Sequence, residues 1–278
     1  MNLTSPSQVK AWCIEHDFHP NRTMGQNFLI DHNALVSIVD AGLEKCAAGE
    51  GKVPRVLEIG PGLGVLTEEL LARGAEVVAV EKDPVLAARL KESLGNPERL
   101  TVVAGDALDW IAKEESAAEK FDCMVSNLPY QAGTRILLEL VLARRISVMT
   151  VLVQTEVAER LAAKEGSKTR GLAGVWAQLD YDVEIVRKVA ASCFWPRPEI
   201  GSTVVRLVQN NRNCTFSEEE RGLFRRLTKT AFSHRRKQLG SIFKNMIQST
   251  ARAEELSNDD WINLVKGLLK NEDTWGIP

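Results

Sequence analysis

Cysteine is scarce in this chain, and the few present are badly placed for covalent or metal chemistry. The 278 residues include Cys13, Cys46, Cys123, Cys193 and Cys214, an odd and scattered set with no Cys-x-x-Cys pair. Neither a disulfide framework nor a zinc site is expected. Histidine is as sparse: His16, His19, His32 and His234 share no ligand spacing beyond the step from His16 to His19, and they read as surface residues. No metal is expected. No apolar run is long enough to span a bilayer, and the first seven residues lack the charged and apolar regions of a secretory signal, so a cytoplasmic protein without a membrane partner is expected. The chain also lacks a net positive charge. Its formal value is −2, which argues against nucleic acid unless basic residues gather on one face. They do gather: from Arg221 to Lys244 the sequence carries Arg221, Arg225, Arg226, Lys229, Arg235, Arg236, Lys237 and Lys244 with no acidic residue between them. Arg225, Arg226, Lys229, Arg235, Arg236 and Lys237 are candidates for contacts to a phosphate backbone, the alternative being a solvated helix surface.

What is present in ordinary measure, 44% hydrophobic and 26% charged residues, fits a globular chain with one large α/β domain and an appendage. The apolar run Val56-Leu57-Glu58-Ile59 breaks into Gly60-Pro61-Gly62-Leu63-Gly64 and then a helical pattern, the first strand and turn of a doubly wound α/β domain in which backbone approaches a ligand. The spacing is GxGxG. With Glu58 just before it, this shorter turn suits S-adenosylmethionine, which has no pyrophosphate for a longer turn to cradle. A second strand ends at Glu81, about 20 residues past the glycines, where an acid accepts hydrogen bonds from ribose hydroxyls. Asp83 precedes Pro84 and a stripe of Leu86, Leu90 and Leu94, so a helix N-cap with proline at the first position is its expected role. A third strand runs into Gly105-Asp106, where Asp106 either accepts from the cofactor's adenine amino group or simply makes a turn.

A fourth strand, Phe121 to Ser126, delivers Asn127-Leu128-Pro129-Tyr130 to the same edge. An aromatic amine is a weak nucleophile because its lone pair is delocalised into the ring. Acceptors at the Asn127 side chain and the Leu128 carbonyl would take both amino hydrogens and free that lone pair. Pro129 stiffens the turn, and Tyr130 offers a face for base stacking. A purely structural Asn-x-Pro turn is the competing reading.

These segments, in this order, resemble the small-subunit ribosomal RNA adenine N6,N6-dimethyltransferases over nearly the whole chain. The resemblance rests on Gly25-Gln26-Asn27-Phe28-Leu29-Ile30-Asp31, the turn from Glu58 to Gly64, Glu81, Gly105-Asp106 and the loop from Asn127 to Tyr130. It continues through Val153 to Leu161, Phe194-Trp195-Pro196-Arg197-Pro198 with Ser202 to Leu207, and Ala231 to Lys237. It implies a Rossmann-like seven-stranded S-adenosylmethionine-dependent methyltransferase sheet followed by a small C-terminal helical domain. It also implies that Asn27, Leu29, Gly60, Glu81, Asp106 and Asn127 serve the cofactor, joined by Glu58 and Gly62 from the turn. Tyr130 and Phe194 would hold the target adenine beside Asn127, Leu128 and Pro129. The implied reaction is methylation of two adjacent adenines in a terminal hairpin loop of 16S rRNA, on RNA or an immature small subunit, by a monomer.

The chain departs from that pattern after Tyr130, where Gln131-Ala132-Gly133-Thr134-Arg135 replaces a sequence close to x-Ile-Ser-Thr-Pro. Thr155 and Gly240 stand where basic residues are common. Two other functions therefore stay open: a large-subunit (23S) adenine methyltransferase of the antibiotic-resistance type, whose loop more often reads Asn-Ile-Pro-Tyr, and a ribosome-assembly factor with little methyl transfer. A helical N-terminal extension and the sheet are expected to occupy 1–210, the RNA-binding helices 211–278. Ser217 with Glu220 predicts a capping box, and Trp261, Leu264, Val265, Leu268 and Leu269 fall on one apolar helix face suited to core packing.

Overall fold

Strands that are apolar on both sides must be covered by helices on both faces, and this chain builds such a sheet once. The computed structural model describes residues 1–270 apart from 47, 48, 50, 114–117, 211 and 245. Its contacts divide the chain into two compact units, one of residues 1–158 and 183–209 and the other of residues 159–182 and 210–278.

The strands are β1 (Phe28–Leu29), β2 (Arg55–Ile59), β3 (Glu76–Glu81), β4 (Leu100–Ala104), β5 (Cys123–Asn127), β6 (Val148–Gln154), β7 (Tyr181–Val189), β8 (Phe194–Trp195) and β9 (Ser202–Gln209). Seven form one sheet in the order β4-β3-β2-β5-β6-β9-β7. Strands β2 to β6 pair in parallel, whereas β9 runs antiparallel to β6 with Val148 opposite Val208 and Gln154 opposite Ser202. This is the seven-stranded sheet that the resemblance implies, with its antiparallel member among the final strands. The remaining two strands pair apart from it, Phe28 opposite Trp195 and Leu29 opposite Phe194. Val56, Leu57, Val77, Val78, Met124, Val125, Met149 and Val151 are buried, as the central strands of a doubly covered sheet must be.

The strand order reverses between β2 and β5, the switch point at which open α/β sheets form a ligand crevice beyond their carboxyl ends. The pairing of β2 with β5 runs through Val56 opposite Cys123 and Leu57 opposite Met124. Further along, the Ile59 N–H donates to the buried Ser126 hydroxyl at 2.9 Å, so a side chain takes over from the ladder where the crevice opens. Helices of this unit include α1 (Pro6–Glu15), α2 (His32–Glu44), α3 (Val65–Ala72), α4 (Pro84–Ser93), α5 (Ala107–Ala112) and α6 (Gly133–Ala143). Asp83 caps α4 as its sequence context predicts, its Oδ1 accepting from Val85 N–H at 2.9 Å with Pro84 in the first turn.

The second unit contains α8 (Leu172–Asp180), α9 (Glu218–Ser233), α10 (Leu239–Ile242) and α11 (Asn258–Lys270), preceded by α7 (Thr155–Ala162), which begins in the first unit. Val175 and Leu179 of α8 bury with Phe224, Leu227, Trp261 and Val265 in one core, which is why residues 159–182 join this unit. A linear division near 210 does not show that excursion. The capping box is present at α9, with Ser217 N–H on Glu220 Oε2 at 2.6 Å and Glu220 N–H on Ser217 Oγ at 3.1 Å. Trp261 and Val265 are fully buried, so the apolar face of α11 is core.

Candidate active site

The ends of β2, β3, β4 and β5 surround a cavity of about 380 Å³. Asn27, Leu29, Glu58, Gly60, Gly62, Glu81, Asp106 and Asn127 all line it, as do Leu128, Pro129 and Tyr130. Residues as far apart in sequence as Asn27 and Tyr130 are thus brought together. Phe194 is the exception: it is 2% exposed in the core, pairs with Leu29, and is absent from the cavity wall.

The glycine turn is folded around Glu81. Gly62 sits at φ +60°, a left-handed conformation that favours glycine, and a Cβ there would lie 3.1 Å from the Phe28 ring. Its N–H donates to Glu81 Oε2 at 3.0 Å, while Asp83 N–H donates to Glu81 Oε1 at 2.8 Å. Each carboxylate oxygen retains a further lone pair for a ligand hydroxyl. Burial raises the Glu81 carboxyl above its ordinary range, and the backbone donors of Asp83, Gly62 and Lys82 oppose that rise. Glu58 is 1% exposed and accepts from the Thr67 hydroxyl at 2.6 Å. Burial pushes its carboxyl up to about 8, against the Thr67 hydrogen bond and with a smaller contribution from Glu81. Asp106 has two partners of its own: Oδ1 caps α5 through Leu108 N–H at 2.8 Å, and Oδ2 pairs with Lys82 Nζ at 2.8 Å. Lys82 holds the Asp106 carboxyl below its usual range, with help from the Leu108 donor.

Asn127 is the least satisfied polar group on the wall. Its Nδ2 donates to the Asn27 carbonyl at 3.2 Å, but its Oδ1 is buried with no hydrogen-bond partner. A carbonyl oxygen can be met only by a donor, so the contact with Asn27 fixes which way the amide is held on the cavity wall. A buried acceptor without a partner costs about 1–3 kcal/mol, and a ligand with hydrogens to donate recovers it. Beside it the Tyr130 hydroxyl lies 2.6 Å from Ser202 Oγ, which fixes the ring at its far end. Burial raises the phenol's pKa, so Tyr130 stays neutral.

The altered loop after Tyr130 packs closely. A Cβ on Gly133 would lie 2.9 Å from Leu128 Cβ, and Gly133 N–H donates to the Pro129 carbonyl at 2.7 Å. Glycine is what this approach admits. Residue type alone does not mark Ser126, Ser202, Lys82 or Gln26, although Gln26 and Ser202 lie inside segments that carry the resemblance and Ser126 directly precedes Asn127.

A sequence model described as Ribosomal RNA adenine dimethylase matches residues 17–269. The chain belongs to the ribosomal RNA adenine dimethylase family. It is 42% identical over 205 residues to the Ribosomal RNA small subunit methyltransferase A of Deinococcus radiodurans, covering 74% of this chain and 67% of that protein. The crystal structure of a dimethyladenosine transferase from Plasmodium falciparum has the same fold at a TM-score of 0.73, with 24% identity over 88% of this chain and 98% of that one. That of the 23S rRNA methyltransferase ErmE shares it at 0.65, with 23% identity over 87% and 99%, so fold alone does not separate the two substrates. As a ribosomal RNA adenine dimethylase the chain is an S-adenosylmethionine-dependent methyltransferase that acts on small-subunit ribosomal RNA. The cavity fits that cofactor: the Glu81 and Asp106 carboxyl groups on its wall suit a ligand bearing ribose hydroxyls and positive charge, and Lys82 is its one basic side chain among the described residues. Among the described residues no helix is long and apolar enough to cross a membrane, and no histidine, cysteine and carboxylate cluster could hold a metal.

In the helical unit the basic run separates into two sets. Arg221 is 4% exposed and structural: Nη1 pairs with Asp180 Oδ2 at 2.6 Å, and Nε and Nη2 donate to the carbonyls of Phe216 and Asn213. Arg235 Nη2 donates to the Lys168 carbonyl at 3.0 Å and its Nε is 3.8 Å from Glu254, while Arg225 lies 4.0 Å from Glu218. Arg226, Lys229, Arg236 and Lys237 are exposed and make no ion pair among the described residues.

Proposed function

We propose that this chain dimethylates N6 of two adjacent adenines in a terminal hairpin loop of small-subunit ribosomal RNA, acting as a cytoplasmic monomer on the immature subunit. The carrying observation is the orphaned Asn127 Oδ1. When bound, S-adenosylmethionine supplies a methyl group carried on a positively charged sulfonium. Glu81 accepts from its ribose, and Asp106 and the glycine turn hold its remaining polar groups. On the substrate side Asn127 Oδ1 and the Leu128 carbonyl accept the two amino hydrogens, drawing the nitrogen towards tetrahedral geometry and stabilising the charge that develops there. Tyr130 stacks on the unpaired base, a contact of about 1–3 kcal/mol. Pro129 keeps the two acceptors in register. After transfer the nitrogen sheds a proton to water, so this scheme asks for no dedicated base. In the helical unit Arg226, Lys229, Arg236 and Lys237 meet phosphates, with Arg225 and Arg235 at their edge.

The name carried by the Deinococcus radiodurans relative favours the small-subunit substrate over the large-subunit one. Incubation with labelled cofactor and immature small subunits from cells lacking the modification, followed by mapping of methylated adenines, tests the proposal. Dimethylation of two neighbouring adenines is expected. Label confined to large-subunit RNA, or none at all, would overturn it.

A further inference from the structure

We propose that the hydrogen bond between Gln26 and Asp83 is a positioning joint through which the cofactor side of the cavity sets the geometry of Asn127. This rests on the role given to Asn127 above. Gln26 Nε2 donates to Asp83 Oδ2 at 2.8 Å across 57 residues of sequence. Asp83 does not need that bond locally, because its other oxygen already caps α4. Nor does Asp83 line the cavity, being 8% exposed behind it. Any effect of Asp83 on methyl transfer must therefore pass through another residue.

The contacts on either side form a continuous path. Asp83 N–H donates to Glu81 Oε1 at 2.8 Å, so the ribose-side carboxylate and the Asp83 loop hold one geometry. Gln26 Oε1 accepts from Asn21 N–H at 2.7 Å and closes the segment 21–26 into a compact turn. Within it Gly25, at φ +70°, passes so near the substrate loop that a Cβ would lie 3.0 Å from Tyr130 N. The next residue, Asn27, donates from Nδ2 to the Gly25 carbonyl at 3.1 Å and offers its own carbonyl to Asn127 Nδ2. That last contact fixes the Asn127 amide on the cavity wall. One side-chain bond thus ties the strand-end acids to the turn that orients the acceptor. A ligand that orders Glu81 also orders residues 21–27.

The test exchanges donor and acceptor. Asp83→Asn keeps a good N-cap but loses the acceptor for Gln26. Gln26→Glu places two carboxylates against each other, and combining Gln26→Glu with Asp83→Asn restores one donor facing one acceptor with the original net charge. Deuterium exchange of residues 21–30 with and without S-adenosylhomocysteine, and single-turnover methylation, are measured on all four proteins. In the wild type the ligand should protect these amides. Each single variant should lose much of that protection and transfer methyl groups about tenfold more slowly or worse, while the reversed pair recovers both. Single variants that behave as wild type, or a reversed pair no better than the poorer single variant, would overturn the joint. Protection that follows the pair while transfer stays level in all four proteins would also overturn it, since Asn127 would not be its target. Exchange is read without turnover. A wild type that transfers no methyl group therefore faults the functional reading, and the joint is then decided by whether the reversed pair regains protection.

Discussion

Asn127 and Arg236 are both given to RNA, yet the two units hold them in opposite ways. The Asn127 amide is fixed from behind by the Asn27 carbonyl, and its acceptor is buried before any substrate arrives. Arg236 stands exposed on the helical unit with no ion pair among the described residues. Burial makes a lone acceptor costly and therefore selective, because only a ligand with a hydrogen in the right place recovers the loss. Exposure makes a cation cheap and unselective, able to meet any phosphate and weakened by salt. In the proposed reaction the sheet edge discriminates and the helical surface gathers.

The comparison breaks most visibly at Arg221, which belongs to the basic run yet is buried. Arg221→Ala should cost about 3–5 kcal/mol by leaving Asp180 unpaired inside the unit. Urea unfolding measures it. A loss no larger than that of an exposed arginine such as Arg236 would place Arg221 with the surface set after all.

Glu58 sharpens the contrast through pH. A carboxyl raised to about 8 binds its proton more tightly folded than unfolded, so its contribution to stability is complete below its unfolded value and is lost as pH rises through about 8. Without cofactor, the wild type should therefore lose stability between about pH 6 and about pH 9, and Glu58→Gln should flatten that loss. Parallel urea titrations at the two pH values decide it, and equal slopes in both proteins would contradict the buried, protonated state. The smallest effect is expected on the helical surface. Neutralising Arg236 and Lys237 should reduce the salt slope of RNA binding by about two while leaving cofactor affinity unchanged. Fluorescence titrations over a range of salt would show it, and an unchanged slope would turn these side chains away from phosphate.

Much of this division is legible in the sequence. Strands buried on both sides read as near-continuous apolar runs, the glycine turn stands at a strand end, and Glu81 and Asn127 lie at the ends of their own strands. Asp83 is legible as a cap for the same local reason. Its bond to Gln26 is not, because nothing local records a partner 57 residues away. The pairing of Phe194 with Leu29 is hidden for a related cause, being a long-range fact. Arg221 is a different case. It falls on the same helical stripe as Phe224, Thr228 and Ala231, all buried, so helix phase carried the signal that charge counting passed over.

In the proposed reaction Asn127 acts on the reacting amine and contributes little to gathering RNA. Single-turnover methylation by Asn127→Ala, at saturating RNA and cofactor and beside equilibrium binding of both, tests it most directly. The rate should fall by a factor on the order of 10²–10³, as when a preorganised polar contact to developing charge is removed, with RNA affinity nearly unchanged. A near-wild-type rate, or a fall accounted for by weaker RNA binding alone, would contradict it.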